Sequence, residues 1–110
     1  EEELQPCHGV RQRFREQLRG TLGRDCILVL PTMPDVAPLL TQSEEELDVY
    51  RNRALHLLCL AGMSGCPQLS LPLLHRDGAP WGVSLLGPPG RDRALIAIGR
   101  AILAGSKYPG

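Results

Sequence analysis

Lysine is nearly absent from this chain: Lys107 is the only one, and the other eleven of its 12 cations are arginine. Twelve acidic residues bring the net charge to zero, so there is no polybasic run of the kind that holds nucleic acid or an anionic membrane surface. Aromatics are equally scarce. Phe14, Tyr50, Trp81 and Tyr108 are all there are, so a core has to be built from small aliphatic side chains, thin material for an independent domain of 110 residues. No apolar stretch approaches the ~18 residues of a membrane span. The acidic start Glu1-Glu2-Glu3 is the reverse of a signal-peptide opening. These absences leave one soluble domain at most, and a start without Met reads as a processed or truncated product.

No Cys-x-x-Cys pair occurs among Cys7, Cys26, Cys59 and Cys66. Cys26 and Cys59 lie inside apolar runs, where a thiol behaves as a small hydrophobe. Reduced thiols in a cytoplasmic or organelle-associated setting are the expectation. His8, His56 and His75 are too scattered for a metal set, so neither metal nor other cofactor is expected. His56 falls one residue from the apolar face of its helix and reads as a boundary or packed histidine. No Gly-x-Ser-x-Gly elbow exists. Ser64, in Gly62-Met63-Ser64-Gly65, comes nearest and reads as part of a helix stop. A serine nucleophile needs a base, and a Ser–Lys system would have to use Lys107. No catalytic residue is therefore assigned within the chain. Gly87-Pro88-Pro89-Gly90 ahead of Arg91 and Arg93 resembles an anion nest, but two prolines remove the N–H groups a nest requires, so it reads as a structural turn.

What is present is an alternation of helix and strand patterns. Val10, Phe14, Leu18 and Leu22 recur every fourth position and predict a first helix that Gly23 stops. Cys26-Ile27-Leu28-Val29-Leu30 is apolar at every position, the pattern of a central parallel strand covered on both faces. Three prolines, Pro31, Pro34 and Pro38, then impose a loop over residues 31–43 that leaves the strand's carboxyl end, where ligands sit in open α/β sheets. Ser43 with Glu46 forms a capping box, and Glu44 and Glu45 suit the positive start of a second helix. Its apolar face is Leu47, Tyr50, Ala54, Leu57, Leu58 and Ala61, and Gly62 or Gly65 ends it. Leu69-Ser70-Leu71 and Val83-Ser84-Leu85-Leu86 predict an antiparallel pair joined by turn chemistry from His75 to Pro80. A last helix buries Ala94, Leu95, Ile98, Ala101 and Ile102 and stops near Gly105.

The expected order is α-β-α-β-β-α, an α/β composition. A three-stranded sheet has two edges, and one of these strands has no polar face. The chain is therefore expected to be one piece of a larger sheet.

Three segments in order carry a resemblance: Asp25-Cys26-Ile27-Leu28-Val29-Leu30-Pro31-Thr32-Met33-Pro34, then Gly65-Cys66-Pro67-Gln68-Leu69-Ser70-Leu71-Pro72, then Gly82-Val83-Ser84-Leu85-Leu86-Gly87 with Arg91-Asp92. Together they resemble the carboxy-terminal part of the amidase signature family over about residues 10–104, with residues 1–9 and 105–110 as tails. Tyr50-Arg51-Asn52-Arg53-Ala54 with Ser64-Gly65-Cys66-Pro67-Gln68 looks most like the plant branch, which holds indole-3-acetamide amidases and the amidase-like domain of a chloroplast import docking receptor.

The resemblance implies a C-terminal fragment of a mixed α/β sheet flanked by helices. It also implies a hydrolase that converts a small-molecule carboxamide to a carboxylate and ammonia. In that family a Ser-cisSer-Lys triad does the work, and all three residues lie upstream of the matched segment, so none maps here. What remains for this segment is sheet scaffold and one pocket wall, with Pro31, Thr32 and Met33 as the wall. The implied partners are the substrate and the remainder of the amidase domain. The alternative is a non-catalytic interaction domain of a protein-import docking receptor. Two positions depart from the family pattern: Gly62 stands where many members have Asn, and Leu74 where many have Gly. A chain missing its sheet neighbours should not melt cooperatively as a monomer. Calorimetry on residues 1–110 alone is expected to show no sharp endotherm, and a cooperative monomeric transition would contradict the larger-sheet reading.

Overall fold

The computed structural model describes residues 4–106, so Lys107 and Tyr108 lie outside the described residues. The elements are α1 (Leu4–Leu22), β1 (Leu28–Pro31), α2 (Glu44–Ser64), β2 (Gln68–Arg76), β3 (Ala79–Leu86) and α3 (Asp92–Gly105), in the order the sequence predicts. Helix α1 starts at Leu4 rather than Val10, so residues 4–9 are helical and not a tail. Pro6 falls in the first turn, where its missing N–H costs no helical hydrogen bond. Helix α2 begins as expected, with the Glu46 amide donating to Ser43 Oγ at 3.2 Å, a cap worth about 1 kcal/mol. Of the two candidate stops, Gly65 is the one used, its amide donating to the Ala61 carbonyl.

The sheet order is β1-β3-β2, antiparallel throughout. Strand β3 is therefore central, and β1 is an edge strand, which corrects the expectation of a central parallel one. An unbroken apolar run reports that both faces want cover; it carries no information on direction or neighbours. The β2–β3 hairpin is longer than predicted. It turns on Asp77 and Gly78, both at positive φ (51° and 83°), the conformation that type I′ two-residue hairpin turns require. Pro72 sits at an irregularity between Leu71 and Leu74 on the edge strand β2, where a missing donor is tolerated.

Consecutive side chains on β3 point to opposite faces, and two cores form on them. Leu86 packs with Leu30, Cys66 and Leu22, under Leu18 of α1 and Leu57, Leu60 and Ala61 of α2. Leu85 packs with Leu71, Leu69 and Leu95 of α3. Close approach of α3 depends on Gly99, because a Cβ there would lie 2.6 Å from Leu69 Cδ2. The buried line on α3 is thus Leu95 and Gly99. Ile98 and Ile102, expected on the inner face with Ala94 and Ala101, are exposed. The helix is apolar on more than one side, and the glycine selects the side that meets the sheet.

Helix α1 also stabilises the end of α2. Arg11 donates to the Gly62 carbonyl and Arg19 to the Ser64 carbonyl. Helix α2 carries no basic residue in its own last turn, so these guanidiniums supply the positive charge that a helix carboxyl end favours.

Cover is one-sided over β1. Val29 lies opposite Leu85 on the α3 face, yet α3 packs on β2 and β3. Val29 is 63% exposed as a result, and Leu28 is 38% exposed. The chain forms a slab 48 × 39 × 16 Å with a radius of gyration of 16.4 Å, against about 13 Å for a compact domain of this length. The two burial classes predict opposite responses. Leu86→Ala, which empties the more deeply buried core, should raise binding of the dye ANS, whereas Val29→Thr with Ile98→Thr and Ile102→Thr should lower ANS binding and light scattering.

Candidate functional site

The segment after β1 is the expected pocket wall, and the structure shows how it is held. The Thr32 amide donates to the Gly82 carbonyl at 3.0 Å, which carries the β1–β3 register one step past Pro31. Met33 offers its carbonyl to Trp81 Nε1 at 2.8 Å. Pro31 is exposed, and Thr32 and Met33 are half-buried.

Thr32 also centres a group that the sequence pattern does not assemble. Its Oγ1 lies 2.6 Å from Ser84 Oγ and 2.8 Å from Ser70 Oγ. Ser70 and Ser84 are direct cross-strand partners, so one hydroxyl comes from each side of the central strand and one from the strand itself. Gly82 makes room for them, since a Cβ there would stand 2.8 Å from Ser70 Oγ and 3.0 Å from Thr32 Oγ1. Ser84 is fully buried and Ser70 is exposed. Thr32 stands out in the sequence by its place after the strand, but Ser70 and Ser84 give no signal of their own. Only the pairing register, with Ser70 opposite Ser84 and Thr32 beside Gly82, reveals the group.

The loop at 32–43 is tied at Asp35. Its carboxylate accepts from the Val36 amide and pairs with Arg76 on the hairpin, while its carbonyl accepts from Tyr50 Oη on α2. The Val36 amide and then the Arg76 guanidinium hold the Asp35 carboxyl below its usual range, and the same contact keeps Arg76 more firmly protonated. Burial, then the Asp35 charge, raises the Tyr50 phenol. A cavity of about 380 Å³ lies beside this tie, lined by Asp35, Val36, Pro38, Leu39, Tyr50 and Arg76. Another, of about 240 Å³, opens between the approach to β1 and α3, with Ile27, Leu95, Ile98 and Arg91 among its walls.

The remaining sequence candidates fall into structural roles. Ser64 Oγ donates to the Leu60 carbonyl and accepts from the Cys66 amide, which is the helix stop expected of it. Arg91 donates to the Arg24 carbonyl and stands 3.7 Å from Asp25, a turn-bracing role. His56 is exposed rather than packed, its Nδ1 2.7 Å from the Asn52 carbonyl of its own helix. Cys26, expected inside the apolar run, is exposed because β1 starts two residues later, at Leu28. Among the described residues no three His, Cys, Asp or Glu side chains gather as metal ligands, and no helix is long and apolar enough to cross a membrane.

The family model described as Amidase matches residues 4–96 of this chain. The chain is 40% identical over 95 residues to outer envelope protein 64, chloroplastic, of Arabidopsis thaliana, covering 86% of this chain and 16% of that protein. It is 35% identical over 98 residues to Amidase 1 of the same plant, covering 89% and 23% respectively. The fold matches the crystal structure of a glutamyl-tRNA(Gln) amidotransferase component from Thermotoga maritima with a TM-score of 0.81 at 25% identity, covering 93% of this chain and 22% of that one. The chain thus spans about a fifth of the length of the proteins it matches.

The Asp35 tie has a defined pH sign. Its folded value is depressed, so its stabilisation is present above the unfolded carboxylate value and is lost as pH falls through the folded one. A carboxyl ¹³C titration of Asp35 should have its midpoint below 3.8, and Arg76→Gln should move that midpoint upward.

Proposed function

Because this chain belongs to the amidase family, we propose that it acts as the carboxy-terminal segment of an amidase-type hydrolase. It supplies sheet scaffold and one pocket wall, at Pro31, Thr32 and Met33, to a reaction that converts a carboxamide and water to a carboxylate and ammonia. The observation that carries this reading is the apolar surface left bare on β1 and α3, at Val29, Ile98 and Ile102. That surface lies on a sheet with unpaired edges and fits a segment built to be covered by the rest of a larger domain.

The chemistry of the hydroxyl group agrees with a division of labour. A serine or threonine attacks a carbonyl only when a base takes its proton. Thr32, Ser70 and Ser84 bond to one another, and Ser64 is committed to its own helix end. On this reading the nucleophile, the proton relay and the oxyanion donors belong to the remainder of the domain, and this segment shapes where the substrate lies.

A second reading rests on the 40% identity to outer envelope protein 64, against 35% to Amidase 1. The same fold then serves as a non-catalytic interaction domain at an organelle surface. The relative named translocon at the outer membrane of chloroplasts 64, of Pisum sativum, matches at 38%. Scaffold and pocket wall are common to both readings, since a fold does not determine a reaction.

Purified residues 1–110 should release no ammonia from a primary carboxamide, and the same segment joined to the rest of its parent domain should do so. Ammonia release by the isolated chain would place the nucleophile within it and overturn this division. A silent parent domain would favour the receptor reading.

A further inference from the structure

Helix α1 carries its charge unevenly: Arg11, Arg13, Arg15 and Arg19 stand against Glu16 alone over Leu4–Leu22. Arg11, Arg15 and Arg19 follow one another a turn apart on one face, where like charges oppose each other. Two of them find relief at the carboxyl end of α2, Arg11 donating to the Gly62 carbonyl and Arg19 to the Ser64 carbonyl. Arg15, between them, finds none. Its Nε is shut off from solvent and meets no acceptor among the described residues. A charged N–H hidden from water without an acceptor is among the costliest arrangements a fold can hold, so a group beyond the described residues is needed to complete it.

The surroundings define the missing group. A cavity of about 330 Å³ is lined by His8, Arg11, Gln12 and Arg15, with no carboxylate in its wall. Glu16, the acid of the same helix, accepts instead from Gln12 Nε2 at 3.1 Å. Arg51, Arg76 and Arg91 each stand beside an aspartate, but among the described residues no arginine of α1 does. A guanidinium matches the two oxygens of a carboxylate with parallel N–H donors. The chain covers 16% and 23% of two of its relatives, so most of such a domain lies outside it. A carboxylate carried by that remainder is presented at high effective concentration, which favours it over a free anion.

We propose that the cavity lined by Arg11 and Arg15 seats an aspartate or glutamate side chain from the remainder of the parent domain, with the Arg15 guanidinium donating to its carboxylate oxygens. The inference rests on the part of the proposed function that makes this chain one segment of a larger domain, and on no step of hydrolysis. It gives the remainder a second contact, polar and on the α1–α2 layer, on the other side of the sheet from the apolar surface at Val29, Ile98 and Ile102. The two contacts differ in kind. Apolar burial holds surfaces together without direction, whereas a guanidinium–carboxylate pair fixes how they are aligned.

The test uses the full parent domain carrying Arg15→Lys, treated with a water-soluble carbodiimide and mapped by mass spectrometry. The reagent joins an amine to a touching carboxylate as an amide and takes up the water lost, becoming a urea; a guanidinium is not coupled. Position 15 should cross-link to an aspartate or glutamate outside these 110 residues. Arg11→Lys should reach the same carboxylate and serves where the first variant does not fold, while Arg13→Lys, on the exposed side of α1, should not. No cross-link from position 15 or 11, coupling only to Glu1, Glu2, Glu3 or Glu16, or equal coupling from position 13 would each overturn the proposal. Arg15→Gln and neutralisation of the carboxylate so identified should each lower the melting temperature, by about 2 °C or more, and no further when combined; full additivity would also overturn it. Ammonia release, measured separately, bears on the hydrolase reading alone. The cross-link without ammonia release would sustain the ion pair and remove the hydrolase, and release without the cross-link would do the reverse.

Discussion

Leu85 and Leu86 stand side by side on the central strand and face opposite ways, and the rest of the molecule is arranged by that pair. Both are almost completely buried, at 3% and 0% exposure. Adjacent strand residues cannot share a core, so burying both requires layers on two sides. Helices α1 and α2 supply one and α3 the other. Each layer is narrow: α3 covers β2 and β3 and stops short of β1. The exposure of Val29 is thus a direct consequence of how few elements share the work of covering two faces.

The same central strand places the hydroxyl group. Ser84 lies two residues before Leu86 on the same face and is as fully buried as that leucine. Moving outward along that face, the sheet changes from leucine to hydroxyl to the bare Gly82. Ser84, on the central strand, is buried, while its partner Ser70, on the edge strand β2, reaches solvent. A side chain at position 82 would displace both Thr32 and Ser70, so the glycine is as much a part of the site as the hydroxyls are.

Helix patterns and local signals are readable in the residues themselves. Ser43 caps α2, Gly65 stops it, and Leu69 to Leu71 pairs with Val83 to Leu86, each from chemistry spanning a few positions. Expectation and structure part where a decision depends on distant residues. Cys26 to Leu30 announces an appetite for burial, but which strand lies alongside is decided by β3, more than fifty positions later. On α3 two faces are oily enough to bury, and Gly99 settles the choice by letting the backbone approach Leu69, an effect no periodicity displays. The hairpin is legible in more detail than general turn chemistry conveys, since Asp77-Gly78 within that stretch is a strong turn signal. Thr32 stands out by its place after the strand, while Ser70 and Ser84 join it only through register.

Relatives bearing an amidase name and relatives bearing an envelope-protein name match this chain to a similar degree, 35% and 40%, and the physical division within the fold accounts for it. The demands on this segment are to bury Leu85 and Leu86, to let α3 approach at Gly99 and to hold Thr32 against two serines. None of these involves a base or a nucleophile. A change that removed catalysis elsewhere in a domain would leave every one of these contacts intact, and the segment would go on folding against the same neighbours. Sequence similarity in such a segment therefore follows the sheet it completes. The part of the fold that distinguishes hydrolysis from recognition is the part whose side chains accept protons, and in this chain the hydroxyls on the sheet only pass hydrogen bonds along.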